Sequence, residues 1–156
     1  HGTCRRQRQM CIRDRPFFQD LWEVCAKGAF LVAQQAIPRL VNNNGGSLIF
    51  TGATASLRSR PPFTAFASAK SAERSLAQGL AKEFGSKGVH VANVIIDGII
   101  DGDKVNLRFP EFAASKGEDG KLNIAHIADN FLMLHNQTRS TWSFELDLRP
   151  WSESWL

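Results

Sequence analysis

The chain has 156 residues, 43% apolar and 22% charged, with 12 Gly, 3 Cys, no Tyr and a formal net charge of +4. That composition excludes a disordered, collagen-like or disulfide-dense chain, and no run of about 18 apolar residues is present to span a membrane. The absent tyrosine excludes any mechanism that needs a phenol as proton donor.

The charge sits at one end. Residues 1–15 contain Arg5, Arg6, Arg8, Arg13 and Arg15 against Asp14 alone, so they carry the whole net charge and residues 16–156 are neutral. A basic head of this kind can be a nucleic-acid arm or a targeting peptide. It lacks the apolar stretch of a secretory signal and the amphipathic period of a transit peptide. Met10-Cys11-Ile12-Arg13-Asp14-Arg15 is what ATGTGTATAAGAGACAG plus one further base encodes, a string that resembles the transposon end used as a sequencing adapter. Residues 1–15 are therefore expected to be an adapter-like, non-native head. The neutral remainder gives no electrostatic reason to bind nucleic acid or membrane.

From Phe17 to Val41 the apolar residues recur at helical spacing. Phe17, Leu21, Val24, Cys25, Gly28, Leu31, Val32, Gln35, Ile37 and Leu40 fall roughly on one broad face. Pro38 is expected to bend the last turn, and Asn42-Asn43-Asn44-Gly45-Gly46 to stop it. Ser47–Thr51 reads as a buried strand, Gly52–Pro62 as a loop, and Ala65–Phe84 as a second helix closed by Gly85 and Gly88. Val89–Ile96 reads as a second buried strand. A long polar segment follows to about Leu122. Residues 124–136 read as a third helix and 141–148 as a third strand. The tail, with Trp151 and Trp155, is expected to pack. Strands separated by helices predict a right-handed parallel α/β sheet.

Two stretches, WEVCAKGAFLVAQQAIPRL and TGATASLRSRPPFTAFASAKSAERSLAQGLAKEFGSKGVHVANVIIDG, resemble the short-chain dehydrogenase/reductase family, and the tail TWSFELDLRPW resembles the last strand of one bacterial subgroup. The resemblance spans residues 16–156. It implies the carboxyl-terminal half of a Rossmann-like doubly wound parallel sheet, about three strands with long helices. The Gly-x-x-x-Gly-x-Gly turn that cradles the cofactor pyrophosphate belongs to the other half of that fold and is absent here. Gly98-x-x-x-Gly102 lacks its third glycine and precedes an expected loop.

The family's catalytic set is Asn, Ser, Tyr and Lys. The Tyr-x-x-x-Lys pattern aligns with Phe66-Ala67-Ser68-Ala69-Lys70. Lys70 matches, as the catalytic lysine that also binds the nicotinamide ribose, while Phe66 stands for the tyrosine. Ala53 stands for the serine and Cys25 for the asparagine. In the later Asn-x-x-x-Pro-Gly pattern, Asn93 and Gly98 match and Asp97 replaces the proline, so Gly98 is carried over as cofactor-binding. Phenylalanine exchanges no proton and alanine holds no substrate oxygen. Loss of a general acid/base removes about 10²–10⁴-fold of rate.

The resemblance therefore implies part of an NAD- or NADP-dependent oxidoreductase acting on small alcohols and carbonyls, inactive as this chain and binding no cofactor by itself. The alternative is a non-catalytic scaffold that dimerises or holds a cofactor. It also implies a homodimer or homotetramer through helices 17–41 and 65–84, and a cytoplasmic location. Expressed alone, the chain is expected to be weakly stable, since its first strand would lack a neighbour.

The remaining candidates read as structural. Cys25 is expected to be a small buried helix residue, and His90 a satisfied strand histidine. The spacing of His126 and His135 suits no common metal motif, so no metal is expected. Ser68 and Thr54 are hydroxyls near the altered site. Arg58 and Arg60 read as a solvated loop, with an anion-binding role as the sharper alternative. The tryptophans read as packing residues.

Overall fold

The computed structural model describes residues 14–153. Most of the basic head, and Trp155, lie outside the described residues. The head's last two residues open the first helix: Asp14 caps it, its Oδ1 accepting from the Phe17 N–H at 3.1 Å, and α1 runs Arg15–Trp22 with Pro16 in its first turn. A π-helical segment, Glu23–Lys27, joins it to α2, Gly28–Asn42. The segment shifts the phase of the apolar stripe. The buried residues of α2 are Ala33 and Ile37, whereas Val24 is 74% and Val32 59% exposed. The stripe read over 17–41 is therefore divided, with Ile37 against the sheet and Val24 and Val32 on the open side.

The turn after α2 uses backbone that few side chains tolerate, with φ of 61° at Asn44, 128° at Gly45 and 141° at Gly46. Strand β1 is Gly46–Ala53. A short 3₁₀ turn, Thr54–Ser56, leads toward α3, Thr64–Phe84. Strand β2 is Val89–Ile96, as the sequence predicts, and every residue of it is buried. The expected third strand, 141–148, is shorter: β3 is Glu145–Leu148, and Arg139–Thr141 forms a 3₁₀ turn.

The expected polar loop before it is also corrected. It contains two six-residue helices, α4 (Asp103–Arg108) and α5 (Pro110–Ser115). Lys121 Nζ donates to Asp101 Oδ1 at 2.7 Å and ties the far end of this segment to its start. Helix α6, Ile124–His135, follows, capped by Asn123. Gly102 thus precedes a helix rather than a loop.

The three strands are parallel in the order β1-β2-β3. β2 alternates its side chains between two cores. Val89 and Val91 pack with Phe50, Ala33, Ile37 and Ala77 under α2 and α3. Ala92, Val94 and Ile96 pack with Leu134 under α6. The architecture is α/β and Rossmann-like, with long helices on a three-stranded parallel sheet. Among the described residues β1 is an edge strand, and no helix is long and apolar enough to cross a membrane. Trp151 departs from the expectation of a packed tail, being 82% exposed.

Candidate functional site

In open parallel α/β sheets, ligands bind beyond the carboxyl ends of the strands. Here those ends bring together Ala53, the Thr54–Ser56 turn, Asp97 and Arg149, with the start of α3 alongside. A cleft of about 210 Å³ lies there, lined by Ala53, Thr54, Arg58, Arg60, Phe63 and Phe66 among others. Phe66 and Ala53 therefore share one cleft, as their motif positions require. Neither can titrate.

Lys70 is on α3, one turn after Phe66. Its Nζ donates to the Thr51 carbonyl at 2.8 Å and to both carboxylate oxygens of Glu73, at 3.0 and 2.9 Å. An ammonium has three N–H groups, and three acceptors surround this one. The pair would have to open for Lys70 to reach a ribose hydroxyl.

Glu73 explains the arrangement. Residues 69, 73 and 77 form one ridge of α3, and Ala69, Glu73 and Ala77 are all buried. A carboxylate in an alanine ridge is costly unless a cation and hydrogen bonds meet it, and Lys70 is that cation. Sequence reading missed Glu73. Its signal was a charged residue at i+3 from Lys70, inside the buried ridge.

Cys25 lies in the π-helical segment, within electrostatic reach of the same pair. It is half-buried rather than buried, which corrects the expectation. Burial pushes its thiol pKa up, the Lys70 charge pulls it down, and Glu73 pushes it up again. The net rise keeps it a thiol rather than a thiolate, so it is a poor nucleophile. π-Turns recur at functional sites, and this one carries Cys25.

The hydroxyls near the cleft are engaged. Ser68 Oγ donates to the Ala65 carbonyl at 2.8 Å and accepts from Trp22 Nε1 at 3.2 Å. Thr54 Oγ1 donates to Asp97 Oδ1 at 2.5 Å. Asp97, where the family pattern has proline, is 4% exposed. It receives Arg58 Nη2 at 2.5 Å and is also bonded by Arg149, which reaches Asp147 at 2.9 Å. Arg58 is thus part of an internal ion cluster and not a solvated loop residue, a correction to the sequence reading. Arg60 is exposed at the cleft.

Gly98 has a packing reason to be glycine. A Cβ there would stand 2.6 Å from Pro150 Cδ, so the position seats the buried Pro150 against the end of β2. Asn93 is fully buried, and its Nδ2 donates to Glu145 Oε2 at 3.1 Å. Arg74 grips the same carboxylate from α3, at 2.6 and 2.9 Å. That hydrogen bond, ahead of the opposing effect of burial and the smaller help of Asn93, lowers the Glu145 pKa. Asn93 therefore serves the sheet. His90 is only half satisfied, which corrects the expectation: Nε2 lies 2.9 Å from the Ser143 carbonyl and the ring stacks on Trp142, but the buried Nδ1 has no partner. Among the described residues no group of three or more His, Cys, Asp or Glu side chains could hold a metal.

The local geometry is that of one fold family, and comparison with known proteins agrees. The model of the family described as short chain dehydrogenase matches residues 3–110, more than half of the chain. This chain belongs to the short-chain dehydrogenase family. An uncharacterized oxidoreductase of Bacillus subtilis, YuxG, is 34% identical over 83 residues, 53% of this chain and 12% of that protein. A short-chain dehydrogenase from Rhodopseudomonas palustris superposes with a TM-score of 0.67 at 31% identity, covering 86% of this chain and 52% of the other. A gluconate 5-dehydrogenase from Burkholderia cenocepacia, solved with NADP and tartrate, shares the fold at a TM-score of 0.74 and 16% identity, over 89% of this chain and 57% of that one. The chain thus spans about half the length of these solved relatives, and the matched stretch is a small part of the curated one.

Of the two residues carried over for a cofactor, Lys70 is bonded to Glu73 and the Thr51 carbonyl, and Gly98 is half-buried beside Pro150.

Proposed function

We propose that this chain is the carboxyl-terminal portion of an NAD(P)-dependent oxidoreductase and is not itself a catalyst. In the intact architecture, the reaction class is hydride transfer between a nicotinamide and a small alcohol or carbonyl compound. The observation that carries the reading is the Lys70–Glu73 pair beside Phe66 and Ala53. The lysine's donors are turned inward, and the cleft that should hold a proton donor and an oxygen-binding hydroxyl is lined by a phenyl ring and a methyl group. Without a group that titrates near neutrality, the alkoxide formed or consumed by hydride transfer has no proton partner. NAD or NADP in the whole protein, residues 16–156 as the native portion, and a cytoplasmic location belong to the same reading.

A second reading, a non-catalytic scaffold that assembles with its own copies, draws on a different observation. The π-helical segment and α2 leave apolar side chains open, with Val24 74%, Val32 59%, Phe30 49% and Leu31 48% exposed. Between α2 and α3 lies a groove of about 390 Å³ lined by Phe30, Ile37, Val41, Leu80 and Phe84 among others. A homodimer or homotetramer through these helices would cover both.

The test uses the gene product expressed with its genomic upstream sequence. It monitors nicotinamide absorbance over a panel of alcohols and aldehydes, with calorimetric titration of both cofactors. The unmodified protein is expected to show no turnover. Phe66→Tyr, Ala53→Ser and Glu73→Leu together are expected to raise the rate at least about 10²-fold above background. Turnover by the unmodified protein would overturn the proposal. Cofactor binding without turnover in either form favours the scaffold.

A further inference from the structure

At the opposite end of the sheet, the amino ends of β1 and β2, a second polar cavity encloses about 170 Å³. This is below the roughly 300–1,000 Å³ of sites for drug-sized ligands, so it suits only a small group. One side of it is bare backbone. A Cβ on Gly45 would come within 2.6 Å of the Gly88 carbonyl oxygen, so this wall carries no side chain. Arg139 lies across these glycines, with Nη2 3.1 Å from where a Gly45 Cβ would stand and 3.3 Å from where a Gly88 Cβ would stand. One of its N–H groups donates to the Asn44 carbonyl at 2.8 Å. A guanidinium has five.

The other side is built by the sheet and α6. Ser47 and His90 are register partners on β1 and β2, so their side chains stand on one face. Ser47 Oγ lies 2.6 Å from His135 Nδ1, at the last residue of α6. His90, 4% exposed, lines the same cavity. Its Nε2 must carry a proton to bond the Ser143 carbonyl at 2.9 Å, and its buried Nδ1 has no hydrogen-bond partner. No aspartate or glutamate lines the cavity. Its donors are the Arg139 guanidinium, the Ser47–His135 pair and the Asn44 and Gln137 amides, while His90 presents only a lone pair at Nδ1, and no carboxylate is present.

We propose that this cavity is a binding site for a small oxyanion, a phosphate or sulfate group, either as the free ion or as the end of a phosphorylated metabolite. Arg139 supplies the fixed charge and a planar fork of donors. Ser47 and His135 supply donors from the facing wall. The glycine turn lets Arg139 lie close against the backbone, and the turn's own N–H groups donate to backbone carbonyls, so the donors to the anion are side chains. The site shares no lining residue with the cleft of Ala53 and Phe66.

The experiment is an amide NMR titration of the full chain with inorganic phosphate at constant ionic strength, with chloride as control and glycerol phosphate and sulfate as further probes. Saturable shifts confined to Gly45, Gly46, Ser47, Gly88 and the 135–142 segment are expected. Arg139→Gln is expected to weaken binding at least about tenfold. Should that variant lose dispersion, His135→Gln is the second test, and it is expected to weaken binding about threefold or more. Lys121→Gln, a cation elsewhere, is expected to change nothing. Glycerol phosphate binding as well as phosphate identifies a metabolite terminus, and its exclusion identifies the free ion. Non-saturable shifts, shifts spread over all basic surfaces, or binding unchanged in both Arg139→Gln and His135→Gln would overturn the proposal.

Discussion

The two ends of the same sheet treat charge in opposite ways. At the carboxyl ends Lys70, Arg58 and Arg149 are turned onto Glu73, the Thr51 carbonyl, Asp97 and Asp147. At the amino ends Arg139 directs one N–H to a carbonyl and faces a cavity without carboxylates. The first end holds more cations, yet most of them are internally bonded. The lesson is that a cation count does not locate a binding site. What matters is whether the guanidinium or ammonium still has donors directed outward, because a buried donor already met by a carboxylate has no free energy left to offer a ligand.

The sharpest way to break this comparison is Asp97→Ala. It leaves Arg58 and Arg149 around a buried position without their shared carboxylate, and removing one partner of a buried ion cluster costs about 3–5 kcal/mol. Urea denaturation followed by circular dichroism measures it. A loss under about 1 kcal/mol would mean the cluster is solvated and the two ends are alike.

A smaller effect is expected midway along the sheet, from acid. The Arg74 hydrogen bond holds the Glu145 carboxyl below its ordinary value of 4.5. In the unfolded chain the group protonates near that ordinary value. The stabilisation is therefore whole above about pH 4.5 and is lost as pH falls through the lower folded value. The pair is partly exposed, so its size is about 1 kcal/mol or less. Arg74→Gln should flatten the fall in denaturation midpoint between neutral pH and pH 3. An unchanged acid limb would show that Glu145 does not draw its low pKa from Arg74.

The smallest effect is expected at the other end. Arg139→Gln removes one exposed hydrogen bond and should change stability by only about 0.5 kcal/mol. A loss as large as that of Asp97→Ala would make Arg139 a structural staple, and the contrast between the ends would disappear.

Much of this was legible in the residues. The helix-strand alternation carried the parallel sheet, and the unbroken apolar run of Val89–Ile96 marked a strand buried on both faces. The motif positions Ala53 and Phe66 do share a cleft. The π-helical turn at Glu23–Lys27 was not legible, because it adds a residue to one turn without any glycine or proline to announce it, and it re-aims the apolar face of α2. The helices α4 and α5 were hidden by polar composition. They form in a segment closed by the Asp101–Lys121 pair, whose partners are 20 positions apart.

The sequence by itself determined the family, the parallel α/β class and the loss of a titratable group at Phe66, since these follow from residue identity and local period. Only the tertiary structure decided that Lys70 is held by Glu73, that Gly98 serves Pro150, and that Asp97 gathers Arg58 and Arg149. Those outcomes depend on which groups lose water together when distant segments meet. A buried carboxylate takes the nearest cation whatever role the motif assigned to it.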